Sequence, residues 1–260
     1  MSDANLTTPP QPSSVDASGA PTMSTPETLA NIFFEPGTTF EALRARPRFL
    51  VAALIIVALT VLVTVLLFQK VSFEQVVRDA IEKSPRTQEM PAEQKEQVIA
   101  MQTGAVGKAI GYGAPLIGTL VILAAGAALY LLGAMMMGGK LSYKQALSVW
   151  TYSSFPPAVL GTVLALMMLF IKAPEDLDFN RPGAGLIVTN LGVLIGPDGS
   201  KLLRAVLGWF DLFTFYGMFL AALGLRKVGK LSSGGAWTIV ITLWLIGMIL
   251  SVARTALFGG

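Results

Sequence analysis

The chain contains no cysteine and no histidine. The first absence removes disulfides, thiolate metal sites and thiol nucleophiles. The second removes the commonest general base and the commonest metal ligand. Charge is also scarce. Only 13% of the 260 residues are charged, against about 25% in soluble domains. Serine-type proteolysis and HExxH zinc proteolysis lack their histidine. Aspartyl proteolysis needs two carboxylates that share a proton, and the long apolar stretches hold one acid, Asp211. No Walker-type phosphate loop or dinucleotide fingerprint occurs. The sequence therefore predicts no enzyme activity, no cofactor, no metal site and no nucleic-acid partner.

What is present is apolar. With 53% hydrophobic residues, the composition is that of an integral membrane protein, and the lipid bilayer is its first expected partner. Residues 1–30 are rich in Ser, Thr, Pro and Ala without an apolar period, which predicts a disordered tail. Residues 31–48 (NIFFEPGTTFEALRARPR) mix aromatic residues with Arg44, Arg46 and Arg48, and read as an interfacial segment. Five apolar stretches follow at about 49–68, 114–137, 148–171, 203–225 and 236–258. Roughly 20 helical residues cross the hydrocarbon core, so the expected fold is an all-α bundle of five transmembrane helices. The third stretch opens with polar residues and contains Pro156 and Pro157, where a kink is expected. The segment 69–113 carries Phe73, Val76, Val77 and Ile81 at helical spacing. It predicts an extracytoplasmic amphipathic element that caps the bundle or lies on the bilayer. The run GLIVTNLGVLI, residues 185–195, is too short to span and reads as re-entrant or buried.

Loop charge predicts orientation. The short loops carrying Lys140 and Lys144, and Arg226, Lys227 and Lys230, contain no acid, and three arginines precede the first span. Short basic loops mark the cytoplasmic side. This places the N-terminus inside and the C-terminus outside, in what would be a bacterial cytoplasmic (inner) membrane.

An ionisable residue inside a span costs several kcal/mol unless it is paired, protonated or turned toward protein or water. Asp211 is therefore a candidate for function or for structure in equal measure. Arg204, two turns away, is a candidate partner, as are Tyr152, Ser153 and Ser154 of the third stretch. Small residues at Ala124/Ala128, Gly126/Gly133, Gly161/Ala165 and Gly217/Ala221 would let helices approach closely.

Three stretches, FFEPGTTFEALRARPRF, GGKLSYKQALSVWTYSSFPPAVL and FDLFTFYGMFLAALGLRKVGKLSSGGAW, resemble the Yip (Ypt/Rab-interacting protein) family of five-span membrane proteins. Their order is that of the family, over about residues 31–258. The resemblance maps the family's fixed points onto Pro36, Phe40, Gly138, Gly139, Tyr152, Pro156, Asp211 and Gly224. In eukaryotes the family is linked to Rab-type GTPases and to vesicle traffic between early secretory membranes. The Asp-Leu-Tyr-Gly-Pro segment of many eukaryotic members does not occur here, and the chain looks more like the bacterial branch. The resemblance implies a membrane-organising or adaptor role, with membrane-protein partners or a homo-oligomer. The competing expectation is translocation of a small solute or lipid, built on Asp211, the broken third helix and the 185–195 run.

Overall fold

The computed structural model describes residues 22–84, 87–174, 177, 186–187, 189–196 and 199–258. Residues 1–21 of the expected tail lie outside them, as do Gly185 and Val188 of the expected re-entrant run. Among the described residues the chain forms helices α1 (Thr25–Phe34), α2 (Pro36–Ala45), α3 (Leu50–Lys70), α4 (Phe73–Lys83) and α5 (Ala92–Thr103). They are followed by α6 (Ala105–Met136), α7 (Tyr143–Ile171), α8 (Lys201–Leu207), α9 (Leu212–Gly229) and α10 (Ser233–Phe258). Helices α3, α6, α7, α9 and α10 are long and apolar enough to cross a membrane. The protein is an all-α, multi-pass integral membrane protein. Helix α7 is the hub, packing on α3, α6 and α9, while α9 also meets α2 and α10.

Order begins earlier than residue 30. Ser24 and Glu27 form a capping box, in which the Glu27 carboxylate accepts from the Ser24 backbone N–H at 2.6 Å. With Pro26 in the first turn, this starts α1 inside the stretch expected to be tail. The segment 31–48, expected to be interfacial, packs one face on the bundle. Ile32, Phe40 and Leu43 are fully buried in the main core, and Phe33 meets Phe155 edge-on at 5.9 Å. The α1–α2 hairpin thus closes one end of the bundle and turns its apolar face inward.

The second span starts early. Helix α6 has 32 residues, about 48 Å of rise, more than a bilayer core requires. Its extra turns receive α4. Tyr112 and Phe73 both pack on Phe68, at 4.9 and 5.1 Å, and a Cβ at Gly111 would lie 2.2 Å from the Phe73 ring. Helices α4 and α5 join through Val77, Ile81 and Ile99 and through Arg78, which bonds Glu96 at 2.6 Å. The segment 69–113 is therefore a helical cap on the α3–α6 end. At that same end the Lys70 ammonium donates to the carbonyls of Leu169 and Lys172, satisfying acceptors that the end of α7 leaves open.

The α6–α7 turn at the other end needs two glycines for different reasons. Gly138 has φ +74°, which an L side chain rarely adopts. Gly138 and Gly139 donate to Met135 and Ala134 at 3.2 and 2.8 Å, closing α6 in a Schellman motif. A Cβ on Gly139 would lie 2.7 Å from Leu231.

Glycine also sets helix spacing. A Cβ at Gly126 would fall 2.1 Å from the Trp150 indole, and one at Gly133 2.7 Å from Ile239. Gly161 meets nothing within 4 Å, so its expected role in a close contact is not seen. At Gly224 a Cβ would lie 2.8 Å from Val149 and 2.9 Å from Phe40. We expect Gly224→Val to destabilise the fold by about 1–3 kcal/mol through overpacking. Gly161→Ala should be neutral or stabilising by up to about 1 kcal/mol. Thermal unfolding in detergent checks both, and equal melting of the two variants contradicts this packing.

The Arg78–Glu96 pair carries a pH signature. The Arg78 guanidinium, by hydrogen bond and charge, holds the Glu96 carboxyl below the usual glutamate range. A lowered carboxylate contributes its stability above the unfolded-state pKa, about 4.3, and loses it as pH falls through the folded value. Hydrogen-exchange protection of α4–α5, corrected for intrinsic rates, should be greater in wild type than in Glu96→Gln at pH 7. The two should converge below about pH 4.

Candidate functional site

Asp211 does not sit within a continuous helix. The stretch expected as one span over 203–225 is two helices, α8 and α9, separated by Gly208–Asp211. Asp211 has extended backbone (φ −119°, ψ 137°) and is the N-cap of α9. Its Oδ1 accepts from the backbone N–H groups of Phe213 at 2.9 Å and Thr214 at 3.0 Å. Its Oδ2 accepts from the hydroxyl of Thr189. The neighbouring backbone closes the arrangement, with Leu191 donating to Phe210 at 3.2 Å and Leu212 to Thr189 at 3.4 Å. A short aspartate side chain competes for nearby N–H groups and so favours caps over helix interiors. Hydropathy alone cannot register this, which is why the break falls where an uninterrupted span was expected.

The break packs against α10. Trp209 covers Gly247 of α10, where a Cβ would be 2.5 Å from its ring, and its carbonyl accepts from the Trp244 indole N–H at 3.2 Å. Helix α10 runs on from Gly247 to Phe258, about 16 Å further. The turn Leu191–Leu194, opened by an Asn190 side chain that accepts from Gly192 at 3.0 Å, thus packs with α8 within the length of the spans. Arg204 does not pair Asp211 as expected. It donates to the carbonyls of Ile195 and Gly196 and secures the same loop. Trp209, Phe210, Phe215 and Trp244 form an aromatic cluster beside it, with ring centroids 5.4–6.5 Å apart.

The proposed partners on α7 have other roles. Ser153 donates to the Trp150 carbonyl at 3.0 Å, and Tyr152 is buried in the core beside Phe155. Ser153 and Ser154 do line an open groove of about 390 Å³ with Tyr130, Trp150, Pro157, Phe213, Thr214 and Gly217. Helix α7 runs unbroken through Pro156 and Pro157. Pro157 has no N–H, which leaves the Ser153 carbonyl without its helical donor. That oxygen lies 3.5 Å from where a Gly217 Cβ would be. Gly217 of α9 therefore faces that carbonyl and the Pro157 ring.

The remaining family fixed points fall into two groups near the α1–α2 end. Pro36 opens α2 at its first position and directs Phe40 onto Gly224, while Tyr152 and Pro156 are buried nearby in the same core. Gly138 and Gly139 build the α6–α7 turn, whose Lys140 donates to the carbonyl of Gly229 at 3.3 Å. Asp211 stands apart, 13 residues before Gly224 along α9 or about 20 Å of rise. The family fixed points thus form a scaffold at one end and a separate cap at Asp211. Among the described residues no group of three or more acidic, His or Cys side chains is placed to hold a metal. Thr189 and Asn190, the polar pair inside the GLIVTNLGVLI run, are the partners that pattern reading missed. Polar residues in an apolar loop were the available signal.

This architecture agrees with the comparisons to known proteins. A family model, the Yip1 domain, matches residues 30–254, and the chain belongs to that family. It is similar to Membrane protein YknW of Bacillus subtilis (strain 168), at 27% identity over 224 residues, covering 86% of this chain and 88% of that protein. No solved structure matches.

If Asp211 acts through its cap, Asp211→Asn should keep most of the stability, since Asn caps as well as Asp and loses only the acceptor for the Thr189 hydroxyl. Asp211→Ala should cost about 1–2 kcal/mol. Unfolding of both variants in detergent measures this, and equal losses for the two would point to the charge instead.

Proposed function

We propose that this Yip1-family protein is a non-enzymatic membrane organiser or adaptor in the bacterial cytoplasmic membrane. Its N-terminus would lie inside and its C-terminus outside. The observation that carries the reading is the α1–α2 platform. Its apolar face is locked into the bundle by Ile32, Phe40 and Leu43, by the Lys227–Glu41 ion pair, and by Gln145, which donates to the Arg44 carbonyl at 3.0 Å. A hairpin held this firmly presents its outer face as a fixed surface. Phe34, 84% exposed at its turn, is part of that surface. The basic residues at 44–48, 140–144 and 226–230 gather at this end, and that asymmetry supports the orientation.

A second reading, translocation, rests on the groove beside Ser153 and Ser154 and on the discontinuous fourth span, a device that transporters use around binding sites. The Asp211 carboxylate supports it less, because both oxygens are engaged in the α9 cap. Two experiments separate the readings. A photo-crosslinker at Phe34 should trap one discrete membrane or peripheral protein in cells, and deletion of residues 1–21 or charge substitution on the outer face of α1 should abolish it. Purified protein in liposomes should neither scramble lipid nor pass small solutes. Flux in liposomes that Ser153→Leu blocks, with no discrete crosslink, would replace the adaptor role by translocation.

A further inference from the structure

At the start of the first span the structure holds a second cavity, of about 240 Å³, walled by Thr25, Pro47, Arg48, Phe49, Val51 and Tyr152. Three donors belong to residues that line it. Arg48 gives one N–H to the Met23 carbonyl at 2.9 Å, and the rest of its guanidinium has no hydrogen-bond or ion-pair partner among the described residues. Tyr152, only 1% exposed, lines the same cavity as Arg48. Its hydroxyl makes no hydrogen bond among the described residues. With no partner in the described chain, that hydroxyl has its donor available to a ligand of the cavity that Tyr152 lines. The third donor is the start of α3. Phe49 offers no side-chain cap, and the N–H groups of Leu50 and Val51, which border the cavity, have no acceptor within the helix.

Each of these groups favours an anion. No carboxylate lines the cavity, and Glu27, on the adjoining first turn of α1, is engaged with Ser24. An arginine fork, a hydroxyl and an open helix N-terminus together match a phosphate, which accepts through several oxygens at once. The setting specifies where that phosphate comes from. The remaining wall is apolar, and from the cavity the exposed side chains of Leu50 and Leu54 continue along the lipid-facing surface of α3. We propose that this cavity binds the phosphate of an anionic phospholipid headgroup, held by Arg48, the Tyr152 hydroxyl and the first N–H groups of α3, with the acyl chains lying along α3. The site stands on its own geometry and does not depend on the adaptor role.

Native mass spectrometry of the full chain, released from nanodiscs of phosphatidylcholine doped with phosphatidylglycerol, tests it. Wild type should retain phosphatidylglycerol over phosphatidylcholine. Arg48→Gln should lower that retention about tenfold, the worth of a charged hydrogen bond. Tyr152→Phe, which keeps the packed ring and removes only the hydroxyl, should lower it about threefold. Arg46→Gln, at an exposed arginine of the same end, should leave it unchanged. Equal losses from Arg46→Gln and Arg48→Gln would reduce the effect to diffuse attraction and overturn the site. Undiminished retention by Tyr152→Phe would overturn it too, whether or not Arg48→Gln folds. Displacement of the lipid by millimolar inorganic phosphate would reassign the cavity to a free anion.

Discussion

A backbone that enters hydrocarbon must satisfy its own N–H and C=O groups, because no water is there to do so. Most of this protein meets that demand with uninterrupted helices. The fourth crossing, α9, begins only at Leu212, and the cap at Asp211 is what satisfies its open end. One carboxylate oxygen closes two N–H groups of α9 and the other holds Thr189. The loop on which Thr189 lies is pinned in turn by backbone bonds to Phe210 and Leu212 and by Arg204. The helix N-terminus also favours a negative group where a lone carboxylate would otherwise be costly. Two expensive features, an open helix end and an ionisable side chain within the span region, cancel one another. Each is explained by the presence of the other.

Other helix ends are handled with equally local chemistry. Lysine closes α7, a Schellman turn closes α6, and a capping box opens α7, where the Ser142 side chain accepts from the Gln145 backbone N–H and the Gln145 side chain accepts from the Ser142 N–H. Between the ends, association cannot rely on the hydrophobic effect, since lipid tails are as apolar as leucine. Close packing takes over that role. Glycine on one helix admits a large side chain from the next, as at Gly126 with Trp150 and Gly224 with Phe40.

The result is polarised. One end carries the α1–α2 hairpin, the basic loops and the Arg48–Tyr152 cavity. The other carries the α4–α5 cap, held by an aromatic cluster and an exposed ion pair. An exposed ion pair contributes little, about 0–1 kcal/mol at most sites, so α4 and α5 depend chiefly on Val77, Ile81, Ile99 and the Phe68–Phe73–Tyr112 rings. The α1–α2 end is built more deeply into the core. Both the organiser reading and the lipid site fall there, on a surface with a rigid foundation.

Composition and apolar run length were sufficient to specify an integral membrane protein with an all-α bundle and five spans, because hydrocarbon tolerates few other arrangements of backbone. Pattern also located α4 and the continuation of α7 ahead of its prolines, and the family resemblance marked Gly138 and Gly139. What depended on partners distant in the chain was not legible. Asp211 is followed by an apolar run, as an N-cap should be, but hydropathy averages over such a position. Only contact with Thr189, twenty-two residues earlier, shows that a break there is satisfied. Phe40 and Ile32 have the composition of an interfacial helix, and it is the groove opened by Gly224 on α9 that takes Phe40 into the core. Local sequence determined which segments are apolar and helical. Tertiary structure decided which polar groups are mutually satisfied, since that depends on distances between segments that no local pattern contains.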